Sequence, residues 1–186
     1  MVSLNTPVCE FGKKAPDFSL KGVDQRLWTL GKCSGKRGLL VMFISNHCPY
    51  VKAIRKKLVR DTHELMLLGV NSVAIMSNDT VAYPEDSFEN MLNMSNEFDF
   101  PFPYLLDETQ QVARAYDAVC TPDFFGYNSN LELQYRGRLD AAGPKSDDDT
   151  QDRELFEAMK QVAETGRGPE NQIPSMGCSI KWQQDW

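Results

Sequence analysis

Two runs of the chain are apolar without polar alternation, Leu39–Ile44 and Ser72–Met76. Such runs predict strands covered on both faces of a largely parallel sheet. Between them Val51, Ile54, Leu58, Leu65 and Leu68 recur at helical spacing, with Pro49 suited to the first turn and Gly69 to the stop. The unit is strand, helix, strand, and the crossover is right-handed. Upstream, Met1–Lys14 shows no period. Ala15–Leu20 reads as extended because Pro16 turns Ala15 away from helix, and Arg26–Leu30 reads as its hairpin partner across a turn at Gly22 and Asp24. Gly31–Gly38 reads as a basic loop.

Downstream, Asn78–Glu85 reads as a loop. A helix follows with Phe88, Met91, Leu92 and Phe98 inward, and Pro101 and Pro103 end it. Pro103–Leu106 is extended, and Asp107 or Thr109 caps a short helix through Val112 and Tyr116. Phe124–Tyr127 and Leu131–Arg136 form an antiparallel hairpin across Asn128–Asn130. Residues 141–150 read as a solvated loop. A last helix, about Asp152–Thr165, turns Leu155, Phe156, Met159, Val162 and Ala163 inward and stops at Gly166. The organisation expected is one α/β domain, residues 1–166, with a tail, 167–186, packed on it.

Composition changes this picture little. With 186 residues, 41% hydrophobic and 25% charged, the chain suits one globular domain. A net charge of −6 argues against a nucleic-acid partner. No run reaches a membrane span and no signal-peptide pattern opens the chain, so the compartment expected is the cytoplasm, with no membrane partner. Five widely spaced cysteines do not form a disulfide framework.

The chemistry concentrates at Cys48, where the strand ends and the helix begins. A thiol attacks as its thiolate, and an ordinary one is only about 3% ionised at pH 7. A pKa near 6 requires about 3.4 kcal/mol of differential stabilisation, and a helix N-terminus supplies roughly 0.3–2. Ser45 offers a hydroxyl three residues back, and Lys52 lies one turn on, on the same face. Lys52, Arg55, Lys56, Lys57 and Arg60 oppose the helix dipole, which suits an anionic sulfur; most of them also suit a plain solvated face. His47 is a candidate acid–base group, although neighbours at a turn point apart. His63 reads as surface or packing.

Cys48-Pro49 at a helix start and Thr121-Pro122 before a hairpin resemble the thioredoxin fold. Ala15-Pro16-Asp17-Phe18-Ser19-Leu20 resembles the opening of the alkyl hydroperoxide reductase and thiol-specific antioxidant (AhpC/TSA, peroxiredoxin-like) branch. Asn46–Lys52, Pro103–Gln110 and Gly177–Trp182 resemble a group of uncharacterised bacterial proteins within it. The resemblance implies a thioredoxin-like fold: a central mixed sheet flanked by helices, with an N-terminal β-hairpin and an extended C-terminal tail. It implies a cis bond at Pro122 facing Cys48. It also implies a thiol-dependent oxidoreductase that reduces peroxides or protein disulfides without cofactor or metal and is restored by a thioredoxin-type reductant. Ser45, Asn46, His47, Pro49, Lys52, Thr121 and Pro122 would surround the substrate.

The departures are specific. Val51 stands where thioredoxins have their second cysteine, and Ser45 where several relatives have one. Ser45 fits the peroxiredoxin pattern, but Val41 replaces its proline and Thr121 its arginine. A lone nucleophile needs a second thiol to resolve it. Cys120, two residues before Pro122, and Cys178 on the tail are the candidates; each can equally be an idle thiol. Cys9 and Cys33 read as bystanders. The alternative function is a non-catalytic binding module that uses the cleft beside Pro122. Metal binding by His47, Cys48 and Cys120 matches no standard zinc spacing.

Overall fold

β4 (Gly38–Phe43) is the centre of the molecule, and each of its residues is buried. In the computed structural model, which describes residues 2–142 and 152–183, it pairs in parallel with β5 (Val70–Met76) and antiparallel with β8 (Asp123–Asn128). Leu40 and Met42 face one apolar layer, Leu39, Val41 and Phe43 the other. Burial on both faces is why the run carries no polar alternation.

The main sheet also contains β2 (Ser19–Gly22), β3 (Leu27–Thr29), β6 (Tyr104–Leu106) and β9 (Leu133–Tyr135), in the order β3-β2-β6-β5-β4-β8-β9. α2 (Pro49–Leu67), α3 (Phe88–Glu97) and α5 (Glu154–Thr165) supply the first layer. α1 (Leu30–Cys33) and α4 (Gln111–Ala115) supply the second. Gly69 and Gly166 stop α2 and α5 at φ of +85° and +76°, as their positions predict. The N-cap residue of α4 is Gln110, rather than Asp107 or Thr109, but Asp107, fully buried, accepts from the Val112 and Ala113 amides of its first turn.

Several readings shift. Gly31–Gly38 is not all loop: Thr29 caps Lys32 N–H and Leu30–Cys33 forms α1. Within Ala15–Leu20 only Ser19 and Leu20 join a strand. Three residues of the Asn78–Glu85 region and its flank, Pro84–Asp86, make a 3₁₀ turn. The expected loop at 141–150 lies, beyond Ala142, outside the described residues. The basic residues of α2 are not a uniform solvated face. Lys57 is buried 2.9 Å from Asp140, Arg60 bonds Asp61, and Arg55 lies 4.0 Å over the Phe98 ring.

The largest departure is a second sheet. β1 (Ser3–Asn5), β10 (Met176–Ser179) and β7 (Cys120–Thr121) run antiparallel with β10 in the middle. The unpatterned N-terminal stretch and the tail therefore meet beside Pro122.

Candidate active site

Cys48 occupies the N-cap position of α2 with extended backbone (φ −65°, ψ 120°), Pro49 following as the first helical residue. The helix dipole and the unpaired amides of the first turn favour an anion there. Its side chain is fully buried. The thiol donates to the Thr121 carbonyl at 3.0 Å, and its sulfur lies 3.2 Å from that of Cys178.

β10 brings Cys178 there. Cys178 sits directly across from Thr121 in the antiparallel ladder, and Ser179 across from Cys120. Gly177 makes the approach possible, since a Cβ on it would lie 2.1 Å from the Thr121 carbonyl oxygen. Ser175 anchors one end of the strand through hydrogen bonds to the Pro122 carbonyl and Thr6. Lys181 and the buried Ile180 anchor the other. Burial, then the adjacent Cys48, pushes the Cys178 thiol up to about 12, against a smaller opposing pull from Lys181.

The Thr121–Pro122 bond is cis, as the resemblance implies. Cys120 precedes it but turns to the Pro122 carbonyl at 3.5 Å. Burial and the Asp123 carboxylate oppose its ionisation strongly. Of the two candidate second thiols, Cys178 is the one within hydrogen-bond distance of the Cys48 sulfur, while Cys120 bonds the Pro122 carbonyl. Asp123 is held by the buried Arg136 guanidinium at 3.0 Å.

The other expected residues have distinct surroundings. The Ser45 hydroxyl lies 3.4 Å from that of Thr121. Asn46 is committed internally: its amide reaches the Glu85 carbonyl at 3.1 Å, and its oxygen accepts from Tyr104 at 2.9 Å. His47 Nδ1 is 2.7 Å from Asp86 Oδ2, and the ring stacks on Tyr83 at 5.5 Å. Lys52 is exposed and lines an open polar groove with His47 and Arg55. Beside Pro122 a cavity of about 410 Å³ is lined by Tyr50, Ile54, Phe124, Leu139 and Met176.

Asp86 is the residue that pattern reading missed. It is fully buried and accepts from the amides of Asn46 (2.7 Å) and His47 (3.3 Å), from Asn78 Nδ2 (2.7 Å), and from the His47 ring. Its only signal was an acidic residue in a loop. Among the described residues, no group of three or more His, Cys, Asp or Glu side chains could hold a metal ion. None of the helices described is long and apolar enough to cross a membrane.

Residues 11–142 match the AhpC/TSA family. No curated protein matches the chain. Among solved structures, an uncharacterized conserved protein of Geobacillus kaustophilus is 44% identical with a TM-score of 0.94, over 100% of this chain and 99% of that one. A hypothetical protein of Sinorhizobium meliloti is 38% identical with a TM-score of 0.91, over 97% and 98%. The thioredoxin domain of a thiol-disulfide oxidoreductase from Bacteroides vulgatus shares 13% identity and a TM-score of 0.63, over 82% and 97%. The fold is thioredoxin-like, with its central mixed sheet flanked by helices.

Proposed function

Since the chain belongs to the AhpC/TSA family, whose thioredoxin-like setting supports a redox function, we propose that it is a thiol-dependent oxidoreductase working through Cys48 and Cys178. The observation that carries this reading is the 3.2 Å separation of the two sulfurs at the N-terminus of α2.

In the proposed cycle the Cys48 thiolate attacks one sulfur of a substrate disulfide. A mixed disulfide forms, and the departing substrate thiolate takes up a proton. Cys178, raised to about 12, keeps its proton through this step and so does not compete as nucleophile. It then yields that proton to the second leaving sulfur as it attacks Cys48. The substrate leaves as two thiols, and the protein carries a Cys48–Cys178 disulfide, oxidised by two electrons. A thioredoxin-type dithiol restores it. With a peroxide instead, Cys48 becomes a sulfenic acid and Cys178 expels water. The surroundings favour the disulfide. The Ser45 hydroxyl is directed at Thr121, and Arg136 is engaged with Asp123. The binding-module alternative has less support, because the β7 edge beside Pro122 is already paired with β10.

The test is turnover of a disulfide substrate and of hydrogen peroxide, with peptide mapping of the oxidised protein. Cys48→Ser is expected to abolish turnover. Cys178→Ser is expected to slow it tenfold or more and to accumulate the mixed disulfide. Turnover unchanged in Cys48→Ser would overturn the proposal.

A further inference from the structure

The two cysteines lie on segments 130 residues apart, yet one short hydrogen-bonded bridge joins those segments. On one side, Asp86 accepts the backbone N–H groups of Asn46 and His47, the two residues before Cys48, and the His47 ring as well. On the other side, Asn78 accepts the N–H of Lys181, three residues after Cys178, at 2.9 Å. Asn78 Nδ2 donates to Asp86 Oδ2 at 2.7 Å and closes the link. Asn78 is buried and Asp86 fully so, which places the link where water competes least. The same loop adds an Asp79 N–H bond to the Lys181 carbonyl at 2.8 Å, and Tyr83, stacked on His47, has the Lys181 ammonium 5.9 Å from its ring centre.

We infer that Asp86 and Asn78 are positioning residues that hold the Cys48 turn and the Cys178 strand in register and so set the equilibrium between dithiol and disulfide. This rests on the reading that Cys48 and Cys178 are the redox pair. The physical ground is that thiols held in register by other bonds have already lost the freedom that disulfide formation would otherwise take from them. Their effective concentration is therefore high. Cutting the bridge leaves the thiols in place on average but lets the strand wander, so the disulfide forms less readily. Neither side chain bonds the Cys48 or Cys178 sulfur; both act through the backbone of the segments that carry them.

The experiment equilibrates the full chain with dithiothreitol redox buffers and measures the oxidised-to-reduced ratio at Cys48 and Cys178. In each exchange the two protein thiols give two electrons and two protons to oxidised dithiothreitol, leaving it as its dithiol. Asn78→Ala is expected to lower the ratio about tenfold at a fixed buffer, equivalent to a potential about 30 mV less negative. Asn78→Asp keeps the acceptor for Lys181 but sets a carboxylate against Asp86, and Asp86→Asn replaces an acceptor with a donor. Both are expected to shift the ratio in the same direction. Val162→Ala, a core change on α5 away from the bridge, is expected to destabilise the fold and leave the ratio within twofold. A wild-type disulfide whose ratio stays within twofold in the folded Asn78 and Asp86 variants would overturn the inference alone. Absence of any Cys48–Cys178 disulfide in the wild type would overturn the redox-pair reading and the inference with it.

Discussion

Gly177 is the residue on which the site's geometry turns. Its backbone passes so close to Thr121 that a methyl group would sit 2.1 Å from a carbonyl oxygen, and backbone yields less readily than a flexible side chain. Gly177→Ala is expected to lift β10, cost about 1–3 kcal/mol as an overpacking change, and expose Cys48. The check is the rate of Cys48 alkylation, expected to rise at least tenfold. A rate equal to wild type would show that β10 accommodates the methyl without moving. At this scale the sequence was informative about one partner and silent about the other. Cys48-Pro49 after an apolar run marks a candidate nucleophile at a helix start, and the structure puts Cys48 at that N-cap position. Nothing in the residues around Asp86 shows that it binds His47, because that bond spans 39 positions and is set by where a loop returns.

Among the elements, those with internal pattern were legible and those defined by their neighbours were not. β4 and β5 bury enough apolar surface to write continuous apolar runs into the chain, and α2 and α5 to write a helical period. β1 is three residues long with all three exposed, and β10 is four residues long with its two middle residues buried and no alternation. They are strands because β1 pairs with one edge of β10 and β7 with the other, and pairing of that kind leaves little trace in side-chain type. α2 makes the contrast quantitative. Leu58 is fully buried between α2 and the sheet, so Leu58→Ala is expected to cost about 2–5 kcal/mol in urea unfolding. A loss below about 1 kcal/mol would mean that the helix does not carry the core packing described. The basic residues of the same helix were harder to read. Lys57 is buried because Asp140 meets it from across the chain.

Over the whole molecule, buried thiols make stability depend on alkaline pH. Burial pushes Cys33 up to about 12, and Cys9 rises to about 11; Cys178 rises to about 12. Each is more acidic in the unfolded chain, where a thiol titrates near 8.5. Above that value the unfolded state sheds protons that the folded state retains. Stability is therefore full below about pH 8.5 and falls as pH rises toward 12. The urea midpoint is expected to drop between pH 8 and pH 10.5, and Cys33→Ala to reduce that drop. A midpoint independent of pH over this range would refute the assignment.

The middle position of β10 also bears on the order in which the molecule is completed. β4 and β5 are joined by one helix and can pair early, whereas the ladder of Ser3 with Cys178 must close almost the whole chain. Contacts of such long reach form late, after the local ones have made the loop shorter. During synthesis Cys48 thus emerges well before the strand that covers it. A young chain carries Cys48 without the thiol that faces it, and the two sulfurs meet only when the last strand slots between the first strand and β7.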